Sequence, residues 1–129
     1  MWTAEQLRAI NEDGNLLVSA AAGAGKTAVM TERIARIIAS GTDVSEILVV
    51  TFTNPAAAEM KQRIERRLSE LAESTDDTKL KMHLHDSAIN ISTANISTIH
   101  SFCGNVLRRN CHIVGLDPAF RTADAAEAA

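Results

Sequence analysis

The stretch Ser19-Ala20-Ala21-Ala22-Gly23-Ala24-Gly25-Lys26-Thr27 decides the fold of this 129-residue chain. It matches the phosphate-binding loop (P-loop) template G-x-x-x-x-G-K-[ST], with Ala20 in place of the first glycine. Gly23 and Gly25 allow backbone N–H groups to turn toward phosphate oxygens without a Cβ in the way. A helix that starts at Lys26 would add the positive end of its dipole. The stretch therefore predicts a loop that holds the phosphates of a nucleoside triphosphate.

The loop residues have distinct expected roles in that site. Lys26 is expected against the β- and γ-phosphates and the Thr27 hydroxyl on Mg²⁺, so these two are the candidate catalytic residues. The candidate cofactor-binding residues of the loop are Ser19, Ala20, Ala21, Ala22, Gly23, Ala24, Gly25, Lys26, Thr27 and Ala28. The competing interpretation is a Gly/Ala-rich turn between a strand and a helix. The apolar strand predicted before the loop and the amphipathic helix predicted after it favour the P-loop.

Outward from the loop, the pattern alternates helices and parallel strands, which predicts an α/β fold with helices flanking the sheet. A first helix is capped by Thr3, with Gln6 completing a capping box. The other predicted elements are a buried strand at 15–19, a helix at 26–40 closed by Gly41, a buried strand at 47–52, a long helix capped by Asn54 with Pro55 first, a loop at 73–78, a strand at 95–99 and a helix at 101–110. The segment 79–90 is left open between a short helix and irregular structure.

Hydrophobic periodicity predicts which helix faces are buried. In the second helix the predicted stripe is Val29, Met30, Arg33, Ile34, Ile37 and Ile38. In the long helix it is Met60, Ile64, Leu68 and Leu71, and in the last helix Phe102, Cys103, Val106 and Leu107.

Composition excludes several classes of protein. A formal net charge of −3 argues against gripping duplex DNA by bulk positive charge, although a local nucleic-acid contact is compatible with it. Cys103 and Cys111 lack the C-x-x-C spacing of a zinc or redox site, which predicts reduced thiols, one of them buried, in a cytoplasmic protein. No apolar run is long enough for a signal peptide or a membrane span. His83-x-His85 with Asp86 is a weak metal pattern, so no metal is predicted besides the Mg²⁺ that accompanies ATP.

Three further stretches resemble the superfamily 1 DNA helicases of the UvrD/Rep type. Residues 2–6 resemble their Q motif, residues 51–60 their motif Ia and residues 97–103 their motif Ib. Within that superfamily the wording is most similar to the AddA family of helicase–nuclease proteins, with the RecB family second. The Ser19–Gly23 lead-in and the stretch 116–121 carry this likeness as well.

The resemblance assigns roles to residues outside the loop. It implies that Gln6 contacts the adenine edge, and the capping box is compatible with that role. It also implies that Phe52, Thr53 and Asn54 touch single-stranded DNA, with stacking of a base on the ring. The competing interpretations are a core position for Phe52 and a helix cap for Asn54.

The last helix carries the remaining candidate nucleic-acid contacts. The resemblance implies that His100 and Ser101 hold a backbone phosphate, while a buried, hydrogen-bonded histidine is an equal alternative. Arg108 and Arg109 are expected on a solvated face. The same is expected of four cations of the long helix, namely Lys61, Arg63, Arg66 and Arg67.

The resemblance implies that residues 1–129 are the N-terminal portion of motor domain 1A, a partial RecA-like P-loop NTPase domain that stops before the Walker B motif. Hydrolysis requires an Asp-Glu pair after an apolar strand, and no such pair occurs; Asp117 is followed by Pro118. The implied full-length protein is an ATP- and Mg²⁺-dependent DNA helicase/nuclease of double-strand-break repair, which works as a heterodimer with an AddB-like partner. Two alternatives are a stand-alone nucleotide-binding module and, less well supported, a small P-loop kinase.

Overall fold

A computed structural model describes residues 2–21, 23–121 and 123 of the chain. The helices are α1 (Ala4–Asn11), α2 (Lys26–Ala39), α3 (Asn54–Ser74), α4 (Thr78–Asn90) and α5 (Ile99–Arg109). The strands are β1 (Leu48–Thr51) and β2 (Asn95–Thr98), and short 3₁₀ turns occupy Val44–Glu46 and Ile91–Thr93. Within these described ranges, no helix combines the length and the apolar character that crossing a membrane requires.

The two strands pair in parallel, with Leu48 opposite Asn95 and Thr51 opposite Thr98. The chain between them includes α3 and α4, which is the long crossover that parallel pairing requires. The predicted α/β class with parallel strands is confirmed at this level. The strand predicted at 95–99 is present, and the open segment 79–90 is helix α4.

Local capping chemistry determines where the helices begin. The capping box predicted for α1 is confirmed, since Thr3 N–H donates to Gln6 Oε1 at 2.9 Å and Gln6 N–H donates to Thr3 Oγ1 at 3.2 Å. The predicted cap of α3 is wrong by one position. Thr53, whose hydroxyl accepts the Ala56 N–H at 3.3 Å, is the cap, and Asn54 is the first helical residue. A threonine with extended backbone geometry serves as well as asparagine in this role.

The core lies where α3 packs against α2, α4 and one face of the sheet. On α3 the predicted face is largely confirmed, with Met60, Ile64 and Leu68 buried and Leu71 partly buried. The largest side chains removed almost entirely from water are Ile38, Ile64, Leu68 and Leu84. Burying each of these contributes about 1.5–3 kcal/mol relative to exposure.

The strand predicted at 15–19 is wrong for the structure described. The segment is extended but carries no strand assignment, and Leu16, Leu17 and Val18 are exposed, Leu17 to 94%. An apolar run predicts burial only where a neighbouring strand supplies pairing. The sheet formed by the described residues contains β1 and β2 alone, so this run has no strand to pair with.

Burial of the second predicted strand and of two helix stripes is also partly wrong. Leu48 and Val50 are exposed while Val49 is buried, because helices cover one face of the sheet. On α2, Met30 and Ile37 are exposed. Helix α5 has no buried residue, and the inward positions predicted for it are partly or fully exposed, namely Phe102, Cys103, Val106 and Leu107. The predicted buried thiol is absent as well, since Cys103 is exposed and Cys111 only half-buried.

An ion pair joins α2 to α3 at the edge of the core. Arg67 donates from Nε to Glu32 Oε2 at 2.6 Å and from Nη2 to Oε1 at 3.0 Å, while Arg36 Nε lies 3.5 Å from Oε1. The Glu32 side chain is only 6% exposed. Hydrogen bonding to Arg67 lowers the pKa of Glu32 below its ordinary value, against the opposing effect of burial. This contact fixes the relative position of the two helices.

We expect Glu32→Ala to lower the free energy of unfolding by about 3 kcal/mol, because the guanidinium groups lose a shared, buried acceptor. Glu59→Ala is the matched control, since it removes the exposed pair with Arg63 and is expected to cost less than about 1 kcal/mol. Urea denaturation followed by circular dichroism measures both. Equal effects of the two substitutions would contradict the structural role of Glu32.

The same pair predicts a pH dependence. The pKa of Glu32 is lower in the folded chain than its ordinary value of 4.5, so its stabilisation is complete above about pH 4.5 and is lost as the pH falls through the folded pKa. Glu32→Gln removes this titration. We expect the stability advantage of the wild type over Glu32→Gln to stay constant from pH 7 to about pH 5 and to shrink at lower pH. An advantage that grows on acidification would refute the assignment.

Candidate functional site

The loop before α2 has the backbone geometry of an anion cradle. Gly23 and Gly25 both have φ of +80°, the left-handed region that favours glycine. Gly25 is the N-cap of α2, no side chain accepts from the first turn, and that turn holds no acidic residue. Its N–H groups are therefore available to an anion. Ala22, predicted to contribute to the loop, lies outside the described residues.

Lys26 and Thr27 follow at the first two positions of α2. Lys26 Nζ donates to the carbonyl oxygens of Ala20 at 2.9 Å and Ala21 at 2.7 Å. Phosphate oxygens would replace these carbonyls as acceptors. The Thr27 hydroxyl makes no hydrogen bond to the described residues and is exposed, so it can serve as an oxygen ligand to a divalent cation. The donor set thus fits a triphosphate with Mg²⁺.

Gln6 links α1 to this loop. Its Nε2 donates to the Ala24 carbonyl at 3.3 Å while its Oε1 accepts the Thr3 N–H. A glutamine amide has two donors and two acceptor lone pairs, so one of each remains for a ligand. One donor and one acceptor are what the hydrogen-bonding edge of adenine pairs with.

A cleft of about 530 Å³ runs between α1 and the loop. Gln6 and Val29 line it together with Ser19 and Lys26. Its volume lies within the ordinary range for small-ligand sites. The structure therefore brings the predicted base-contacting and phosphate-contacting residues to one cleft. The remaining loop candidate, Ala28, is partly buried and lines a different cleft, between α2 and α3.

The candidate nucleic-acid residues lie at the carboxyl ends of the strands. Phe52 directly follows β1 and is fully exposed, so the core interpretation of Phe52 is wrong. Thr53 caps α3 and its carbonyl accepts the Thr51 hydroxyl at 3.0 Å. Asn54 is exposed in the first turn of α3. An exposed ring at this edge of a parallel sheet has the position at which such folds bind ligands.

His100 and Ser101 lie in the first turn of α5, directly after β2. His100 is exposed and makes no hydrogen bond to the described residues, which rules out the buried, hydrogen-bonded interpretation. The Ser101 N–H donates to Thr98 Oγ1 at 3.2 Å, and the Thr98 hydroxyl donates to Ser101 Oγ at 2.9 Å. Because Thr51 and Thr98 are paired, Phe52 and His100 follow adjacent strand ends.

The basic residues divide into paired and free groups. On α3, Lys61 donates to the Ser92 carbonyl at 2.9 Å, and Arg63 and Arg67 bind carboxylates. Arg66 has no such partner among the described residues. In the weak metal pattern, His83 Nε2 lies 2.7 Å from the Ile38 carbonyl. The described residues hold no group of three or more potential metal-binding side chains.

Arg108 is the residue that sequence reasoning placed wrongly. Instead of facing solvent on its own, it lines a cleft with His100 and Ser101. The two serine and histidine positions were identifiable from their motif. Arg108 had no local sign that distinguished it from Arg109.

Comparison with known proteins identifies the family. Residues 2–129 match the UvrD/REP helicase N-terminal domain, so the chain belongs to that family. It is 51% identical over 132 residues to the AddA-type ATP-dependent helicase/nuclease of Pelotomaculum thermopropionicum, covering 99% of this chain and 10% of that protein. Proteins of the same name from Desulforamulus reducens and Pediococcus pentosaceus are 50% and 44% identical, each over 98% of this chain and 10% of the relative. The chain thus spans about a tenth of the length of these relatives.

Gly25→Ala tests the loop geometry, and Gly14→Ala is its control. Both glycines have a positive φ, but an added Cβ at Gly25 would lie 3.3 Å from Gln6 Nε2 whereas nothing lies within 4 Å at Gly14. We expect each substitution to destabilise the chain by about 1 kcal/mol through backbone strain. Only Gly25→Ala should shift the Gln6 side-chain amide resonances in an NMR spectrum. Shifts of equal size in both variants would contradict the described contact.

Proposed function

We propose that this chain forms the ATP-binding N-terminal part of the first motor domain of an ATP-driven DNA helicase/nuclease of the AddA type. The observation that carries the proposal is the glycine-capped start of α2, which lies beside Gln6 in one cleft. Family membership and the name shared by the relatives support the same function.

The nucleotide would lie along this cleft, with its phosphates on the loop. Lys26 would exchange its two carbonyl acceptors for phosphate oxygens, and the free Thr27 hydroxyl would ligate Mg²⁺. When bound, Mg²⁺ neutralises charge on the triphosphate. Gln6 would use its remaining donor and acceptor on the adenine edge, which gives a preference for ATP.

Single-stranded DNA would cross the carboxyl edge of β1 and β2. Phe52 presents a fully exposed ring on which a base can stack, with Thr53 and Asn54 beside it. His100 and Ser101 would contact the backbone on the next strand end. Both groups are exposed at adjacent positions, which supports a continuous contact.

The remainder of the proposed machine lies in a longer polypeptide. The uncovered sheet face at Leu48 and Val50 and the unpaired run at 15–19 support the view that residues 1–129 are one portion of a RecA-like domain. A longer protein would supply the Asp-Glu pair, the second motor domain and the nuclease. We place that protein in the cytoplasm, acting with an AddB-like partner on broken duplex DNA.

The test uses the polypeptide encoded by the complete reading frame. We expect Lys26→Ala to abolish ATP hydrolysis stimulated by single-stranded DNA, because the loop loses its only side-chain contact to the β- and γ-phosphates. Lys61→Ala is the matched control. Lys61 holds the Ser92 carbonyl and its removal should leave the rate unchanged. A coupled assay with and without DNA measures this.

The 129-residue chain alone provides the complementary measurement. Without an Asp-Glu pair it is expected to show no turnover. Hydrolysis by the isolated chain, or unchanged turnover in Lys26→Ala, would overturn the proposed mechanism.

A further inference from the structure

A small cleft of about 280 Å³ lies along α5 beyond the residues already assigned to DNA. Its lining consists of His100, Ser101, Gly104, Asn105 and Arg108. The side chains that line it are hydrogen-bonding or cationic, and no carboxylate is among them. A ligand of this cleft is therefore an anion with several acceptor oxygens.

The Arg108 guanidinium is held in place from two sides. Its Cζ lies 5.5 Å from the centroid of the Phe120 ring, a cation–π contact made by the chain returning after α5. Its Nη1 lies only 3.4 Å from where a Cβ on Gly104 would stand. The side chain thus folds back along the helix by one turn, toward His100.

This placement leaves the donors of Arg108 unused. Within the described residues it forms no ion pair or hydrogen bond, unlike Arg67, which binds two glutamates. An ordered guanidinium without an acceptor has a lower entropy cost on binding an oxyanion than a free side chain does. Arg109, the next residue, is exposed and neither lines the cleft nor contacts the ring.

We propose that Arg108 is a further ligand of the DNA backbone, holding the phosphate next to the one contacted by His100 and Ser101, with Phe120 as its positioning residue. The inference rests on the proposed function, since it extends the same DNA contact. The guanidinium lies about one helical turn, or about 5.4 Å, beyond the first turn of α5, so one continuous strand can contact both positions. A phosphate oxygen pair matches the planar fork of arginine.

The experiment compares Arg108→Gln with Arg109→Gln in the polypeptide of the complete reading frame. Binding of a labelled oligo-dT strand is measured by fluorescence anisotropy over a series of salt concentrations. Arg108→Gln should weaken binding by about tenfold and reduce the slope of log K against log salt by about 0.7, the loss of one phosphate contact. Arg109→Gln should change affinity by less than about twofold.

A neutral methylphosphonate linkage, moved one position at a time along the oligonucleotide, identifies the phosphate. One position should weaken the wild type and have no effect in Arg108→Gln. Phe120→Leu should produce a smaller loss with an unchanged salt slope, because the charge remains while its placement is lost. Should Arg108→Gln fail to fold, as judged by its melting curve, Arg108→Lys with the same scan decides. Lysine keeps the salt slope but loses part of the affinity.

Each outcome separates the role of Arg108 from the proposed function. Equal affinities and slopes for Arg108→Gln and Arg109→Gln, in a wild type that binds DNA and loses binding on Phe52→Ala, would overturn the role of Arg108 alone. An effect of Arg108→Gln that persists on every methylphosphonate strand would also refute phosphate contact, and would point to base stacking. A wild type without DNA binding or DNA-stimulated hydrolysis would overturn both.

Discussion

The bidentate contact between Glu32 and Arg67 is the constraint on which the arrangement of the candidate site depends. Helix α2 begins at the phosphate-binding loop, and α3 begins two residues after the exposed ring of Phe52. A carboxylate with a 6% exposed side chain is stable only when a cation satisfies both of its oxygens, and the planar fork of arginine does so in a narrow range of positions. The contact, with the Thr31 hydroxyl 3.7 Å from Met60 Sδ, therefore holds the nucleotide side and the DNA side at a fixed separation.

Parallel pairing does the corresponding work on the DNA side. Because Thr51 and Thr98 are in register, the residues after both strands emerge at one edge, which is where open α/β sheets bind ligands. The chain reaches that edge twice, once with an aromatic ring and once with a polar helix turn. Stacking and phosphate contacts require different chemistry, and the two strand ends separate them. Coupling between the nucleotide and DNA then has a physical route, from α2 through Glu32 and Arg67 to α3 and its preceding ring.

Local chemistry made part of this structure predictable. The Thr3–Gln6 capping box, the apolar face of α3 and the glycines of the loop each follow from neighbours within a few residues. The failures share a cause, since they depend on partners far along the chain. Leu16–Val18 has the composition of a buried strand, yet burial requires a neighbouring strand. The pairing of Glu32 with Arg67 spans 35 residues and has no periodicity that could announce it.

The candidate site divides along the same line. Its phosphate side uses backbone N–H groups, and backbone that needs positive φ requires glycine, so the sequence displays it directly. Its DNA side uses side chains, and the sequence alone does not distinguish an exposed phenylalanine from a buried one. Arg108 and Arg109 illustrate the limit most clearly, because successive helical residues differ in direction by about 100°. Phe120, which returns from beyond the helix, then packs on one of them. The role of a basic residue on a helix is thus decided by the distant segment that covers it, and here that segment orders the one arginine that faces His100.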